Sequence, residues 1–376
     1  MNFPNKLKQK LILRKNNLKL RRLQECANTK VDFYSNDYLG LAQSQLIYDK
    51  AHQYICENIT QCNGATGSRL ISGNSYLHEE LEQKIKNTHQ SAAALLFNSG
   101  FDANLGLFAC IGQRHDVFLY DELVHASIHD GMRLSFAKAF AYEHNNLHEL
   151  EQKLCQHSQD KDKICYVVTE SVFSMDGDCP DLRQMLALCT KYNAYLIVDE
   201  AHAVGVFGYG LVDKLGIVND VFATIITFGK ALGCHGAVIL SSQQLKEYLI
   251  NYARSFIYTT AMPAHALATI KFAYAQLHSK ENEELLNLIA YFKYTYKKLA
   301  LEPFFIVSDS AIQSCIIPGE KRVLQCAQHL INKGYNVKAI IAPTVATKHE
   351  RLRFCLHSFN SKKQIKSVLN HLLKIL

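Results

Sequence analysis

Ala223-Thr224-Ile225-Ile226-Thr227-Phe228-Gly229-Lys230-Ala231-Leu232-Gly233 is the stretch on which the fold turns. Its β-branched apolar run, Ala223 to Thr227, reads as a buried strand, and Gly229 and Gly233 let backbone and ligand come close to the intervening amine. Burial of a lysine lowers its pKa until the neutral, nucleophilic amine becomes accessible for Schiff-base chemistry. Upstream, Tyr195-Leu196-Ile197-Val198-Asp199-Glu200-Ala201-His202 is a second apolar strand, ending in a carboxylate with an imidazole at Asp-x-x-His spacing. Taken singly, Lys230 is a strand-end lysine, Asp199 a cap for the next helix and His202 a structural histidine. Taken together they are the groups that pyridoxal phosphate needs: an amine for its C4′, a carboxylate for its protonated ring nitrogen, and an imidazole or hydroxyl for its O3′.

Outward from these strands the apolar pattern alternates. Leu77 to Lys86 predicts a helix, Ala92 to Phe97 a strand, Ala103 to Cys110 a helix and Asp116 to Tyr120 a strand. Lys163 to Thr169 repeats the strand pattern, and Leu182 to Tyr192 is helical. Such alternation argues for an α/β fold with a mostly parallel sheet flanked by helices, in which ligands sit beyond the carboxyl ends of the strands. Asp199, Ser174, His125 and Lys230 all fall at such ends. After about residue 275 a long polar helix gives way to short strands and helices, which suggests a smaller C-terminal domain. The expected division is an N-terminal arm over 1–45, a large domain over 46–275 and a small α/β domain over 276–376.

Composition limits the function classes. A chain of 376 residues, 48% hydrophobic, can bury a large core. No apolar run reaches membrane-spanning length, and Met1 to Lys19 is basic without the apolar segment of a secretory signal, so the expectation is a solvated helical arm on a soluble, cytoplasmic protein. The 12 cysteines, among them Cys26, Cys56, Cys62, Cys110 and Cys155, form no C-x-x-C pair and read as reduced packing residues. The 17 histidines show no metal-binding spacing. A net charge of +7 suits small phosphates and carboxylates, and no nucleic-acid-binding signature accompanies it.

Phosphate binding needs exposed amides at a helix start, and Asn98-Ser99-Gly100-Phe101-Asp102-Ala103-Asn104 offers them between a strand and a helix. Gly229-Lys230 is not a P-loop, because the required glycine and hydroxyl positions are absent. Gly205, Gly208 and Gly210 lack dinucleotide-fingerprint spacing and read as a turn.

With these residues in place, the chain resembles the α-oxoamine synthases, pyridoxal-phosphate enzymes of the aspartate-aminotransferase fold (type I), over nearly its full length. The resemblance is carried by Ser35-Asn36-Asp37-Tyr38-Leu39-Gly40, Gly67-Ser68-Arg69-Leu70-Ile71-Ser72-Gly73, Asp121-Glu122-Leu123-Val124-His125-Ala126-Ser127, Glu170-Ser171-Val172-Phe173-Ser174-Met175-Asp176-Gly177-Asp178 and Arg351-Leu352-Arg353. Within the family the likeness is greatest to the branch that joins L-alanine to a pimeloyl thioester for biotin synthesis, through Thr227-Phe228-Gly229-Lys230, Phe256 to Pro263 and Asp309-Ser310-Ala311-Ile312-Gln313. The resemblance implies that Lys230 forms the Schiff base, Asp199 pairs with the pyridine nitrogen and His125 stacks on the ring. It further implies that Ser174 and His202 bond O3′, and that Thr227 and the Gly100 and Phe101 backbone hold the phosphate. Thr260 would reach the phosphate of a neighbouring subunit in a homodimer. Arg353 and Asn36 would take the amino-acid carboxylate, with Arg21 and Thr344 at further substrate positions.

The implied reaction is decarboxylative condensation of L-alanine with the thioester of coenzyme A or an acyl carrier protein. Many members carry Arg-Pro-Pro-Thr-Val-Pro ahead of the Arg-Leu-Arg motif, where this chain has Ile341-Ala342-Pro343-Thr344-Val345-Ala346, so a positive charge is missing near the acyl end. Arg69 is either a substitute anion contact or a structural ion pair. Glycine C-acetyltransferase activity, and a cofactor-less subunit serving an active partner, are the alternative readings; the joint presence of Lys230, Asp199, His125 and His202 speaks against the latter.

Overall fold

The computed structural model describes residues 3–16, 20–21, 23, 29–58, 63–158, 160, 162–278 and 280–376. Its strands are β1 (Val31–Phe33), β2 (Ala93–Phe97), β3 (Val117–Asp121), β4 (Lys138–Tyr142), β5 (Cys165–Glu170), β6 (Tyr195–Asp199), β7 (Ala223–Thr227), β8 (Ala237–Ser241), β9 (Ile312–Ile316), β10 (Tyr335–Ile340) and β11 (Arg351–Cys355). A 7-stranded sheet has the order β2-β8-β7-β6-β5-β3-β4. From β7 to β4 every neighbour is parallel, and β8 alone runs antiparallel to both β7 and β2.

Near-continuous burial of β5, β6 and β7 follows from their Val and Ile content, since a strand covered on both faces has no polar side to present. Successive side chains enter opposite layers: Val168, Ile197 and Ile225 join one core cluster, while Val167, Leu196 and Val198 join another. At about 25 cal/mol per Å² of apolar area, each of these side chains stabilises the sheet by roughly 1.5–3 kcal/mol.

The helix expected over Leu77 to Lys86 spans Tyr76–Thr88, and that expected over Ala103 to Cys110 begins earlier, at Gly100, running to Ile111. Its N-cap is Ser99, whose Oγ accepts from the Asp102 amide at 3.0 Å. Leu182–Lys191 is helical as the pattern predicts. The helix Asn5–Asn16 buries no residue, in keeping with a solvated arm; residues 17–19 lie outside the described residues.

A 4-stranded sheet, β1-β10-β11-β9, is antiparallel except for the β1–β10 pair. Val31–Phe33 is thus an edge strand of this second sheet, although its sequence falls in the expected N-terminal arm. Period-2 alternation along β11 sorts its residues. Phe354 meets Phe33, Phe292 and Phe305 on the helix-covered face, and Arg351 and Arg353 turn toward the loop after β5. There Arg351 pairs with Asp176, and Arg353 Nε donates to the Ser174 carbonyl at 2.7 Å. The Arg-Leu-Arg motif therefore joins the smaller sheet to the carboxyl ends of the larger.

Among the described residues no helix is long and apolar enough to cross a membrane. The described cysteines are free thiols; Cys26 and Cys62 lie outside the described residues.

Candidate active site

The carboxyl ends of β3, β5, β6 and β7 open onto a cleft of about 260 Å³. Lys230 and Thr227 reach it from the end of β7, and Asp199 and His202 from the end of β6. His125 follows β3, Ser174 follows β5, and Gly100 and Phe101 open the helix after β2. Asn36 comes from the segment after β1. Residues far apart in sequence converge because parallel strands aim all their carboxyl ends the same way.

Asp199 is buried at 4% exposure, yet both its oxygens are satisfied. Asn104 Nδ2 donates to Oδ2 at 2.8 Å and the Ala201 amide to Oδ1 at 2.9 Å. Burial lowers the Lys230 pKa, with Asp199 and Glu170 pulling the other way and Arg353 adding to the depression. Burial also holds His202 well below the usual imidazole range, helped by Lys230, Arg353 and His125, and its Nδ1 lies 2.7 Å from the Tyr38 hydroxyl. His125 is likewise lowered by burial, against the attraction of Asp199; its Nδ1 caps the helix Ala126–Leu134 by accepting from the Ser127 amide at 3.3 Å and also lies 2.7 Å from Ser127 Oγ.

Where Gly100 meets Thr227 the packing is restrictive. A Cβ on Gly100 would lie 2.3 Å from Thr227 Cγ2, so only glycine lets the helix start come this close to β7. Thr227 Oγ1 is buried with no hydrogen-bond partner among the described residues. An orphaned hydroxyl beside a capped helix N-terminus fits a phosphate acceptor. Of the glycines flanking the lysine, Gly233 has φ +62 and its Cβ would meet the Ala42 amide at 2.2 Å, whereas Gly229 has no protein atom closer than 3.6 Å. Gly233 is therefore held by the protein's own packing, and Gly229 leaves space on the cleft side.

Arg353 is 6% exposed and hydrogen-bonded to Asn36 Oδ1 at 3.0 Å, Ser174 O at 2.7 Å and Cys355 Sγ at 2.9 Å. None of these is a carboxylate, and among the described residues Arg353 makes no ion pair. A buried guanidinium with no counter-ion among the described residues, next to Asn36 in the cleft wall, has the chemistry to take an anion.

Other expected residues stand apart from this cleft. Thr260 is exposed and its carbonyl accepts from Asn98 Nδ2 at 2.9 Å. Arg21 is exposed, as is Thr344 in the turn after β10. Arg69 pairs with Glu82 and Asn74 and so serves the local structure within this chain. Conversely, Tyr38, Asn104 and Glu170 belong to the site but were not assigned roles from sequence. Asn104 had a signal: it lies one helical turn beyond Gly100, on the same helix face.

The family model for aminotransferase class I and II matches residues 28–372. The chain belongs to this family and is a pyridoxal-phosphate-dependent enzyme. Its relatives place it among the α-oxoamine synthases. An 8-amino-7-oxononanoate synthase of Emericella nidulans is 38% identical over 96% of this chain and 93% of its own length. One of Lysinibacillus sphaericus is 36% identical over 91% of this chain and 88% of its own length. The crystal structure of 8-amino-7-oxononanoate synthase from Francisella tularensis superposes with a TM-score of 0.78 at 28% identity, covering 93% of this chain and 98% of that one. A serine palmitoyltransferase variant from S. paucimobilis with bound PLP and myriocin gives a TM-score of 0.90 at 22% identity, covering 100% and 98%, which is a likeness of fold.

Proposed function

We propose that this chain condenses L-alanine with a pimeloyl thioester, releasing carbon dioxide and the thiol and forming 8-amino-7-oxononanoate for biotin synthesis. The observation that carries the amino-acid half is the buried, counter-ion-free Arg353 beside Asn36, at the edge of a cleft that also holds Lys230 and Asp199. The acyl half is supported by the names of the relatives at 36–38% identity.

In this reading Lys230 Nζ would carry the cofactor, the Asp199 carboxylate would pair with its ring nitrogen, and the His125 imidazole would lie against the ring. Ser174 and His202 hold O3′, while Thr227 Oγ1 and the Gly100–Phe101 amides hold the phosphate. Bound pyridoxal phosphate supplies an electron sink that acidifies the Cα–H of the amino acid and accepts the charge released on decarboxylation. Arg353 and Asn36 fix the substrate carboxylate, which sets the orientation of the bond to be broken. The Lys230 amine, whose protonated form is disfavoured by burial, takes the Cα proton at Nζ and returns one to the same carbon. The missing arginine at Ile341 concerns only the acyl end. A homodimer is part of the proposal, with the exposed Thr260 contributing to the partner's phosphate site and Arg21 and Thr344 meeting substrate; a cytoplasmic location accords with the free thiols.

The test is thiol release and product mass from the purified, cofactor-loaded protein, crossing pimeloyl and acetyl thioesters with L-alanine and glycine. Preference for pimeloyl and alanine, with the mass of 8-amino-7-oxononanoate, is expected. Activity confined to acetyl and glycine would instead make the chain a glycine C-acetyltransferase.

A further inference from the structure

Glu170, the last residue of β5, lines the same cleft and is 3% exposed. It is the in-register partner of Asp199 on the adjacent parallel strand, so both side chains leave the same face of the sheet about 4.8 Å apart at the backbone. Two buried carboxylates this close cannot both ionise cheaply; one must hold a proton. Hydrogen bonding decides which. Asp199 receives donors on both oxygens, from Asn104 and Ala201. Glu170 Oε1 is buried with no partner among the described residues.

We propose that Glu170 is held as the neutral acid beside an ionised Asp199, and that it is a positioning residue which confines the site's negative charge to the carboxylate opposite Lys230. Charges facing it from the surrounding elements fit this assignment. Asp199 on β6 repels a second negative charge, Lys230 after β7 attracts one, and the backbone ahead of the helix at His125 and after β5 at Ser174 also favours ionisation. Burial and Asp199 outweigh them, and the Glu170 carboxyl is pushed up to about 8. Arg353 on β11 adds to the positive field at Lys230, and burial lowers the His125 pKa against the pull of Asp199. Of the two strand-end acids, Asp199 then carries the negative charge, and Glu170 is a protonated carboxyl whose hydrogen is available to an acceptor in the cleft.

The consequence for the cofactor rests on the pyridoxal-phosphate reading above, but the protonation state does not, and the two are read separately. Infrared difference spectra of the wild type and Glu170→Gln at pH 6.5, with and without added pyridoxal phosphate, should contain the C=O band of a protonated carboxylic acid in the wild type only. Glutamine mimics the neutral acid, so the Glu170→Gln variant should bind pyridoxal phosphate within about threefold of wild type at pH 6.5. Above pH 8 the wild type should lose affinity relative to the variant, because only the wild type gains the extra anion. Absence of the carboxylic-acid band, or a shift of about one unit in the visible-absorbance titration of the variant's bound cofactor, would show Glu170 to be ionised and overturn the inference. A purely structural role would lower the melting temperature of Glu170→Gln without the divergence in cofactor affinity above pH 8. Should Glu170→Gln not fold, the band is sought in wild-type protein carrying isotopically labelled glutamate, where its failure to shift on labelling overturns the inference equally. Failure of the wild type to develop visible absorbance with pyridoxal phosphate would count against the cofactor reading and leave the infrared result standing.

Discussion

Replacing Arg353 by lysine keeps the positive charge but removes the planar fork. In the native protein Nε is engaged by Ser174 O at 2.7 Å, Nη2 by Asn36 Oδ1 at 3.0 Å and Nη1 by Cys355 Sγ at 2.9 Å, so the guanidinium is aimed before any substrate arrives. A lysine ammonium can reproduce one of these directions at a time and cannot meet a carboxylate through parallel donors. A hydrogen bond to a charged partner contributes roughly 1.5–3 kcal/mol, which at 1.4 kcal/mol per factor of ten corresponds to about a 10- to 150-fold loss. That loss should fall on kcat/KM for the amino acid. Cofactor binding, which does not involve Arg353 directly, should change by less than about threefold. Stability should fall little, because the substitution breaks no ion pair among the described residues. The assay is steady-state thiol release with the amino acid varied at saturating thioester, alongside visible absorbance of the bound cofactor. If Arg353→Lys left kcat/KM for the amino acid unchanged while the cofactor stayed bound, the carboxylate assignment would be wrong.

Lys230→Ala should abolish both turnover and the visible absorbance of lysine-bound cofactor, and retention of either contradicts the role given to Nζ. Gly100→Ala places a Cβ 2.3 Å from Thr227 Cγ2; relief of about 1–3 kcal/mol of overpacking should move the helix start off β7 and raise the pyridoxal phosphate dissociation constant roughly tenfold, whereas a lower melting temperature with unchanged affinity would argue against the phosphate cradle. His144 is opposed by burial but hydrogen-bonded to Asp121 at 2.9 Å and Asp178 at 2.8 Å, and these carboxylates raise it from 6.5 to about 9. Its folded-state pKa exceeds the unfolded one, so its contribution is full below about pH 6.5 and is lost as pH rises through about 9. At 1.36 kcal/mol per unit this amounts to at most ~3 kcal/mol, and chemical denaturation at pH 6 and pH 10 should show that His144→Gln removes part of the wild type's decline; an identical decline in both proteins would exclude His144 as its source.

The large sheet was legible because its strands are short apolar runs with polar residues at their ends, and the candidate cleft was legible for the same reason: Asp199 ends such a run and Lys230 follows one by three residues. Element ends were less so. The helix written as starting at Ala103 begins at Gly100, since the capping bond from Asp102 to Ser99 outweighs the low helix propensity of glycine in the first turn. Periodicity also gave no sign that Val31–Phe33 pairs with Tyr335–Val337 across most of the chain, because a three-residue strand carries too little pattern and its partner is chosen by tertiary packing. The missed site residues share one property. Tyr38, Asn104 and Glu170 act on other side chains, through the 2.7 Å contact to His202, the 2.8 Å bond to Asp199 and the strand register opposite Asp199. Glu170 was within reach, since the parallel order of β5 and β6 with carboxylates ending both runs already implies their juxtaposition. When both acids are buried, as Glu170 and Asp199 are, each charge raises the cost of the other, so such a pair in a parallel sheet is where a divided protonation state is to be looked for.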